Sequence, residues 1–365
     1  MPFYLNLLIF SDIIFKEVHM KLLHAADIHL GAKNSKLPLD RQNLLRSEQV
    51  LQIRELFSHA DEDGFDAILI CGDLFHAKKL QSKITTGFFS SVKEFSGPVL
   101  YIKGNHDEKF DFEFELPKNF IVLDENNPCF TLKNTTFWGQ VDPQTIRQNY
   151  NPENQNVILL HGDFEKTNSN DYFDITKYTD NFHFDYIALG HVHTFSYKSV
   201  SGMPAVYPGS LFSNGFDECG DKGYVSVNLE NKKFAFQKFA GRRYIICNCD
   251  ITGFNTYEEL HKIVISAIKD SGVSKSDLLR VILQGYYSEN SEKYLQTLQS
   301  SLSEYFYIEI VDNSKLKIDF DKLKNEKLSF KSEFLLLLEQ NEPDEQVRNE
   351  IARLGIEALR GEDIS

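Results

Sequence analysis

Two histidines, His191 and His193, are the residues in this 365-residue chain that point most directly to chemistry. They follow a run of apolar residues that ends in Gly190, and a single valine separates the two imidazoles. Imidazole nitrogens bind borderline divalent metals such as manganese, iron and zinc. Two histidines on one turn can serve neighbouring ions only if the backbone redirects one of them, which the preceding glycine permits. The pair is therefore a candidate set of metal ligands.

Four other apolar runs end in the same way, in a polar turn with His, Asp or Asn. Each motif alone is weak or moderate evidence, because a lone histidine after a strand is usually structural. The five together favour a metal centre, and the absence of cysteine from these turns argues against a structural zinc site of the cysteine type. In chain order the turns are DIHLG (Asp27, His29), GDLFH (Asp73, His76), GNHD (Asn105, His106, Asp107), HGD (His161) and GHVH (His191, His193).

The apolar runs before these turns have the length and composition of buried strands. They cover residues 21–26, 66–71, 98–102, 156–160 and 185–189. An amphipathic helix is predicted over 41–64 and another near 80–95, so the first three runs alternate with helices. This alternation is typical of an α/β fold, in which ligands collect at the carboxyl ends of the strands. We expect all five turns at such ends.

The chain after His193 has a different pattern. Shorter strands are predicted to complete a second sheet by about residue 240, which closes a main domain over 20–240. Residues 241–325 follow a β-α-β-α-β order, which predicts a small α/β domain. Residues 326–365 are predicted to be helical, with an apolar and then a charged part separated at Pro343 and Asp344.

Composition and the amino terminus bear on location and partners. Residues 1–19 form an apolar extension of doubtful origin that lacks a secretory pattern and is too short to cross a bilayer. Five scattered cysteines do not suggest a disulfide framework, so we expect a reducing, cytoplasmic compartment. The net charge of −14 argues against a broadly basic surface. Bound cations in a local groove would still allow an acidic protein to receive phosphates.

DIHLG, GDLFH, GNHD, LHG and GHVH resemble the motifs of the calcineurin-like metallophosphoesterases over about residues 20–240. More narrowly, HAADIHLG, GDLFH and YPGSLFSNGFDECGDKGY resemble the SbcD-type DNA repair exonuclease subunits, including their YhaO-like bacterial members. The resemblance implies a four-layer α/β sandwich of two β-sheets flanked by helices. A small α/β capping domain and a C-terminal helical tail would follow it.

The resemblance also implies two divalent ions, with manganese expected and iron, zinc or magnesium as alternatives. One ion would be held by Asp27, His29 and His193. The other would be held by Asn105, His161 and His191. Asp73 would bridge the ions, and His106 would steady or protonate the reacting phosphodiester. His76 stands where phosphatases of the superfamily usually have Asp, and histidine there is typical of the nuclease branch.

The function implied is a metal-dependent DNA nuclease, exonucleolytic on duplex ends and endonucleolytic on single strands, acting in DNA repair and recombination. The implied partners are DNA, a second copy of the chain and an SMC-like coiled-coil ATPase of the SbcC type. The segment 330–340 is the candidate docking helix, and the alternative is a helix that packs only on its own domain. A phosphodiesterase or phosphatase for a small nucleotide or other phosphoester would share the metal motifs. A binding protein with a degenerate site is disfavoured because all seven ligands are present.

Overall fold

The computed structural model describes residues 20–32, 36–76, 82–107, 115–166, 168–239, 241–288, 291–317 and 329–359. The predicted extension over 1–19 lies outside these ranges. The described chain forms two compact units. Unit 1 contains the residues up to Asn214 together with Asp221–Gly241, and unit 2 contains Gly215–Gly220 together with the residues from Arg242 onward.

Unit 1 is built from the strands and helices that carry the polar turns. Its strands are β1 (Lys21–Ala25), β2 (Ala67–Cys71), β3 (Val99–Ile102), β4 (Phe120–Val122), β5 (Cys129–Leu132), β6 (Thr135–Trp138), β7 (Gln155–His161), β8 (Tyr186–Gly190), β9 (Ser196–Val200), β10 (Met203–Tyr207), β11 (Gly223–Asn228) and β12 (Lys233–Lys238). Its helices are α1 (Leu39–Glu62), α2 (Ser82–Glu94), α3 (Pro143–Asn149) and α4 (Thr176–Thr179). The five predicted apolar runs are β1, β2, β3, β7 and β8, and the predicted helices are α1 and α2, so these predictions are confirmed.

The strands form two six-stranded sheets, in the orders β12-β11-β1-β2-β3-β4 and β5-β6-β7-β8-β10-β9. Strands β1 to β4 are parallel, as are β6, β7, β8 and β10. The prediction that the segments near 223–238 complete the second sheet was wrong. β11 instead pairs antiparallel with the free edge of β1, and β12 pairs with β11. Pairing there satisfies backbone groups that β1 would otherwise leave open on that side.

The side chains of the two sheets explain the four layers. The inward faces pack on each other, with Leu22 and Leu69 of the first sheet in one cluster with Val157 of the second. The outer face of the first sheet packs on α1 and α2, where Phe57 and Phe88 are buried. The outer face of the second sheet packs on α3 and α4. The predicted sandwich of two sheets flanked by helices is confirmed, and it buries both faces of the strands that precede the polar turns.

Unit 2 contains five strands and four helices within the described ranges. They are β13 (Tyr244–Asp250), α5 (Tyr257–Asp270), β14 (Leu278–Gln284), β15 (Tyr286–Ser288), α6 (Leu295–Ser301), β16 (Tyr307–Asp312), β17 (Lys315–Lys317), α7 (Phe330–Asn341) and α8 (Glu345–Leu359). The parallel order β13-β14-β16 agrees with the predicted small α/β domain, and the helical tail breaks between α7 and α8 as predicted. Leu335 of α7 and Ile356 of α8 share one core with Val264 of α5, so the tail packs in the same unit as the predicted cap.

Within the described ranges, no helix has the length and hydropathy needed to cross a bilayer.

His24, on β1, is a fully buried histidine outside the polar turns. Its Nδ1 lies 2.9 Å from the Tyr186 hydroxyl and its Nε2 lies 3.1 Å from the carbonyl oxygen of Leu189. Burial lowers the pKa of His24 to about 3, although the contact with Leu189 opposes that effect. An unfolded histidine has a pKa near 6.5. Between about pH 3 and about pH 6.5 the histidine binds a proton in the unfolded chain but not in the folded chain. The stability that the folded chain derives from keeping His24 neutral is therefore complete above about pH 6.5, and it is lost as the pH falls below that value.

We therefore expect His24→Gln to make the unfolding free energy less dependent on pH. Between pH 6.5 and 5 the slope should decrease by up to about 1.4 kcal/mol per pH unit, the value for one proton. Urea unfolding of the metal-free protein at several pH values measures this slope. His59→Gln, at an exposed histidine of α1, is the control that should leave it unchanged. A His24→Gln slope equal to that of the wild type would contradict the assignment.

Candidate metal centre

The five polar turns meet at the carboxyl ends of the strands of both sheets. The first sheet supplies the turns after β1, β2 and β3, and the second supplies those after β7 and β8. Three groups of side chains place possible ligand atoms within 4.8 Å of one another. They are Asp27–His29–His193, Asp27–Asp73–His161 and His29–His76–His106. Residues about 165 positions apart in the chain are thus neighbours here, as expected for the edge where parallel strands end.

Backbone strain is concentrated in these turns. Positive φ angles occur at Asp27 (50°), His29 (46°), Asp73 (51°) and His191 (101°). Such a conformation costs a residue with a side chain about 1–3 kcal/mol, and it persists only where the surrounding structure enforces it. The occurrence of four such residues in the turns that carry the Asp/His cluster supports a functional role for it.

Two glycines allow the turns to approach one another. A Cβ atom on Gly104 would lie 2.2 Å from Oδ1 of Asp73. A Cβ atom on Gly190 would lie 1.7 Å from the carbonyl oxygen of Cys71. Any larger residue at either position would push the turns apart, because both contacts are far shorter than a van der Waals separation.

The group Asp27–His29–His193 contains two imidazoles that face each other. Nε2 of His29 lies 3.3 Å from Nε2 of His193. Ligands bound to one ion at the 2.0–2.1 Å usual for a histidine–zinc bond stand roughly 3.3 Å apart in tetrahedral geometry. Asp27 is fully buried beside them, and its two carboxylate oxygens each accept from the His191 amide at 3.0 Å. Burial raises the pKa of Asp27 to about 7, so this carboxylate needs a nearby cation to remain ionised at neutral pH.

Asp73 lies between His29 and His161. Its Oδ2 atom is 3.7 Å from Nε2 of His29 and 3.5 Å from Nε2 of His161. Its Oδ1 atom accepts from the His106 amide at 2.9 Å. Burial raises the pKa of Asp73, but the contacts with His161, with the His106 amide and with His29 together outweigh it and lower the pKa to about 2. Asp73 is therefore an ionised carboxylate with one oxygen near both His29 and His161.

His161 shows why the cluster fits a cation. Its Nδ1 donates to the carbonyl oxygen of Cys71 at 2.9 Å, which leaves Nε2 with a lone pair in the neutral ring. That Nε2 faces two acceptors, Oδ1 of Asn105 at 3.0 Å and Oδ2 of Asp73 at 3.5 Å. Burial lowers the pKa of His161, but the bond and charge of Asp73 dominate and raise it to about 9. A proton or a metal ion must occupy this position, and a second contact from the other ring nitrogen is the usual arrangement of a metal-binding histidine.

His191, predicted as a ligand of the second ion, belongs to none of these three groups. Its ring lies edge-to-face with that of His161, with 5.4 Å between the ring centroids. Its Nε2 atom is 4.0 Å from Oδ2 of Asp171, a residue that the sequence analysis did not single out. Lys222, also without a predicted role, donates from Nζ to the carbonyl oxygen of His193 at 3.0 Å. Neither residue lies in a polar turn after a strand, so the pattern that identified the ligands could not identify them.

His76 and His106 lie beside the buried cluster but are themselves exposed. Their rings are stacked, with centroids 5.6 Å apart and planes at 18°. The ring of His29 is 5.1 Å from that of His106. The pair can therefore reach both the cluster and a molecule arriving from solvent. These rings together with that of His29 are also close enough to hold an ion.

Asp107 joins two of the turns. This buried carboxylate accepts from the amides of Leu74 and Phe75, each at 2.9 Å, and from the amide of Gly104 at 3.3 Å. It thereby fixes the turn after β2 to the turn after β3.

The chain is similar in sequence to a known protein family and to individual proteins. The family model described as calcineurin-like phosphoesterase matches residues 20–207. The uncharacterized metallophosphoesterase YhaO of Bacillus subtilis (strain 168) is 22% identical over 320 residues, which cover 78% of this chain and 78% of that protein. The DNA double-strand break repair protein Mre11 of Aeropyrum pernix is 36% identical over 90 residues, which cover 24% of this chain and 21% of that protein.

Two solved structures are similar at low identity. A conserved protein of Streptococcus pneumoniae described as a predicted phosphoesterase is 16% identical, with a TM-score of 0.27 over 57% of this chain and 83% of that chain. Vps29 of Entamoeba histolytica in complex with zinc is 12% identical, with a TM-score of 0.32 over 60% of this chain and 98% of that chain.

Proposed function

Because this chain belongs to the calcineurin-like phosphoesterase family, we propose that it is a two-metal DNA nuclease acting in DNA repair. Family membership and the Asp/His cluster support metal-dependent hydrolysis of a phosphoester. The finer proposal is exonuclease action on duplex ends and endonuclease action on single strands. We place this activity in the cytoplasm, and the free state of all five cysteines supports a reducing compartment.

The exposed pair His76 and His106 carries the proposal of a phosphodiester substrate. A phosphodiester in DNA has an alkoxide leaving group, which is poor without assistance. Two imidazoles beside the cluster offer proton donors to the phosphate or to the departing oxygen. A carboxylate at position 76 would repel the phosphate instead. The pair therefore suits a phosphodiester with an alkoxide leaving group better than an ester whose leaving group departs without a proton.

The side chains of the cluster have separate tasks in this proposal. When bound, two divalent ions would lower the pKa of a water molecule and neutralise charge on the phosphodiester. Their ligands would be Asp27, His29, Asp73, Asn105, His161, His191 and His193. The contact with Cys71 fixes the tautomer of His161 and presents its Nε2 to the cluster. Asp73 holds the amide of His106, which fixes where that imidazole meets the substrate.

The similar proteins support different parts of the proposal. The similarity to YhaO extends over most of the chain and supports metal-dependent phosphoester chemistry. The similarity to a DNA double-strand break repair protein is confined to 90 residues, and it supports DNA as the substrate.

The test is degradation of an end-labelled linear duplex in the presence of manganese, beside a circular single strand and a small chromogenic phosphodiester. Shortening of the duplex and cutting of the circle, both lost in Asp73→Ala, would support the nuclease. Cleavage of the chromogenic ester alone would contradict it. In that case a phosphodiesterase or phosphatase for a small nucleotide or other phosphoester would be the better assignment.

The surface of α7 and α8 supports the proposed docking of an SMC-like coiled-coil ATPase. Leu335 packs inward at 1% exposure, whereas Phe330 and Leu337 of the same helix are 82% and 60% exposed. Val347 and Ile351 add exposed apolar surface on α8. The tail thus packs on its own unit and still offers an apolar face to a partner helix. Phe330→Asp with Leu337→Asp should abolish co-purification with such an ATPase while duplex degradation persists, and unchanged co-purification would refute this interface.

Homodimerisation, the other proposed association, is tested by light scattering of the full chain. A mass near twice the monomer value of 42.1 kDa is expected. A monomer at all concentrations would contradict it.

A further inference from the structure

We infer that Lys222 is a positioning residue for the first metal ion, because it holds the main chain of His193 so that its imidazole faces that of His29. The inference rests on the proposed metal centre. It assigns a role to the segment FDECGDKGY, whose chemistry the sequence analysis left unexplained.

The contact is made on the backbone of His193. Its carbonyl oxygen accepts from Nζ of Lys222 at 3.0 Å and from the Ser210 amide at 3.3 Å. His193 lies between the end of β8 at Gly190 and the start of β9 at Ser196, outside the regular strand pairing. These two donors therefore help to determine the orientation of its peptide. Because the imidazole is joined to that backbone by only two rotatable bonds, its position depends on them.

Lys222 is itself anchored in the first sheet. Its carbonyl oxygen accepts from the Phe239 amide at 2.8 Å, and the next residue, Gly223, pairs with Lys238 in the β11–β12 hairpin. A Cβ atom on Gly223 would lie 2.0 Å from the carbonyl oxygen of Gln237, so the hairpin is tightly closed at this point. The lysine thus extends from a fixed base.

The two facing histidines come from different sheets. His29 follows β1 in the first sheet, and His193 follows β8 in the second. The 3.3 Å between their Nε2 atoms is set by how closely the loops of the two sheets are held together. Lys222 immediately precedes β11, which is paired directly with β1. Its bond to His193 therefore ties the second sheet's loop to the first sheet at the first metal position.

Attraction to the proposed metal ion cannot explain the location of Lys222, because both carry positive charge. An ammonium group near a divalent ion repels it, so the lysine would weaken metal binding if it acted by charge alone. A hydrogen bond from a charged donor is stronger than one between neutral groups, which offsets this cost and favours a positioning role. The competing role is a direct contact with a phosphate of the substrate. The two roles predict different effects on metal affinity.

Lys222→Met in the full chain separates them. We expect the affinity of one of the two manganese sites to fall 10–100-fold, as measured by titration of the metal-free protein and detection of free manganese by electron paramagnetic resonance. The visible absorption of the cobalt-loaded protein should change as well, because one ligand is displaced. Lys222→Arg should recover much of the affinity. Lys238→Met is the matched control, since its side chain is half-exposed and pairs with Asp221 at 2.7 Å, and its affinities should stay within twofold of the wild type.

Unchanged manganese affinity with a raised KM for DNA would overturn the inference in favour of substrate contact. Equal loss of affinity in Lys222→Met and Lys238→Met would also overturn it. Should Lys222→Met fail to fold, Lys222→Gln is measured in the same way, and wild-type affinity in that variant would count against the inference. Metal binding is measured without DNA. A wild-type protein that binds two ions but leaves DNA intact would therefore contradict the proposed nuclease and not the role of Lys222.

Discussion

Asp73→Ala should lose metal-dependent turnover by more than roughly a thousandfold, because it removes the group that the two proposed ions share. The carboxylate is 2% exposed and lies 3.7 Å from Nε2 of His29 and 3.5 Å from Nε2 of His161. Alanine would leave both imidazole groups without the negative charge between them. It would also release the His106 amide, which donates to Oδ1 at 2.9 Å. The variant therefore loses metal ligation and the placement of the proposed catalytic histidine together.

Elemental analysis and turnover of the chromogenic phosphodiester measure the two losses separately. We expect two ions per chain in the wild type and fewer in Asp73→Ala. Asp66→Ala is the matched control, because Asp66 precedes the same strand that Asp73 follows. Asp66 accepts from the Lys21 amide at 2.8 Å and pairs with Lys133 at 2.7 Å, so its loss should reduce stability without removing metal. Wild-type turnover in Asp73→Ala would rule out a shared carboxylate at this position.

The parts of the fold that could be predicted from sequence are those with a strong local pattern. The run DAILIC followed by GDLFH predicts a buried strand and a ligand-bearing turn, and β2 with Asp73 at its end is found there. The same holds for β8 and the histidines after it. Strands that are covered on both faces are largely apolar, so the polar turn that follows such a run marks the end of the strand.

The parts that could not be predicted depend on partners distant in the chain. Strand β11 alternates buried and half-buried residues, which shows one covered face but not which sheet it joins. β11 pairs with β1 because the side of β1 opposite β2 has no other strand beside it. Lys222 gained its contact with His193 by that pairing, since the contact exists only when β11 lies beside β1. Asp171 likewise approaches His191 through a turn paired with Asp163, which no local pattern indicates.

His106→Ala should retain both ions and lose about 10²–10⁴-fold in the rate of DNA cleavage, the range for one group that transfers a proton. The side chain of His106 is exposed, and its ring is stacked on His76 at 5.6 Å. Only its backbone amide is bonded to Asp73. Removing the imidazole therefore leaves the proposed ligands and their geometry in place. Fewer ions per chain in this variant would identify His106 as a ligand, as its proximity to His29 and His76 permits.

The leaving group distinguishes what the imidazole does. If His106 donates a proton to the departing oxygen, the loss should be large for DNA, whose leaving group is an alkoxide. It should be less than about tenfold for a nitrophenyl diester, whose leaving group departs without a proton. An equal loss on both substrates would mean that the imidazole stabilises the phosphate oxygens instead. His183→Ala, at an exposed histidine that precedes β8 and so lies at the opposite end of that strand from His191, is the control and should match the wild type on both substrates. Because the same protein and the same ions act on both esters, a larger loss on DNA than on the nitrophenyl diester is the result expected if His106 protonates the leaving oxygen.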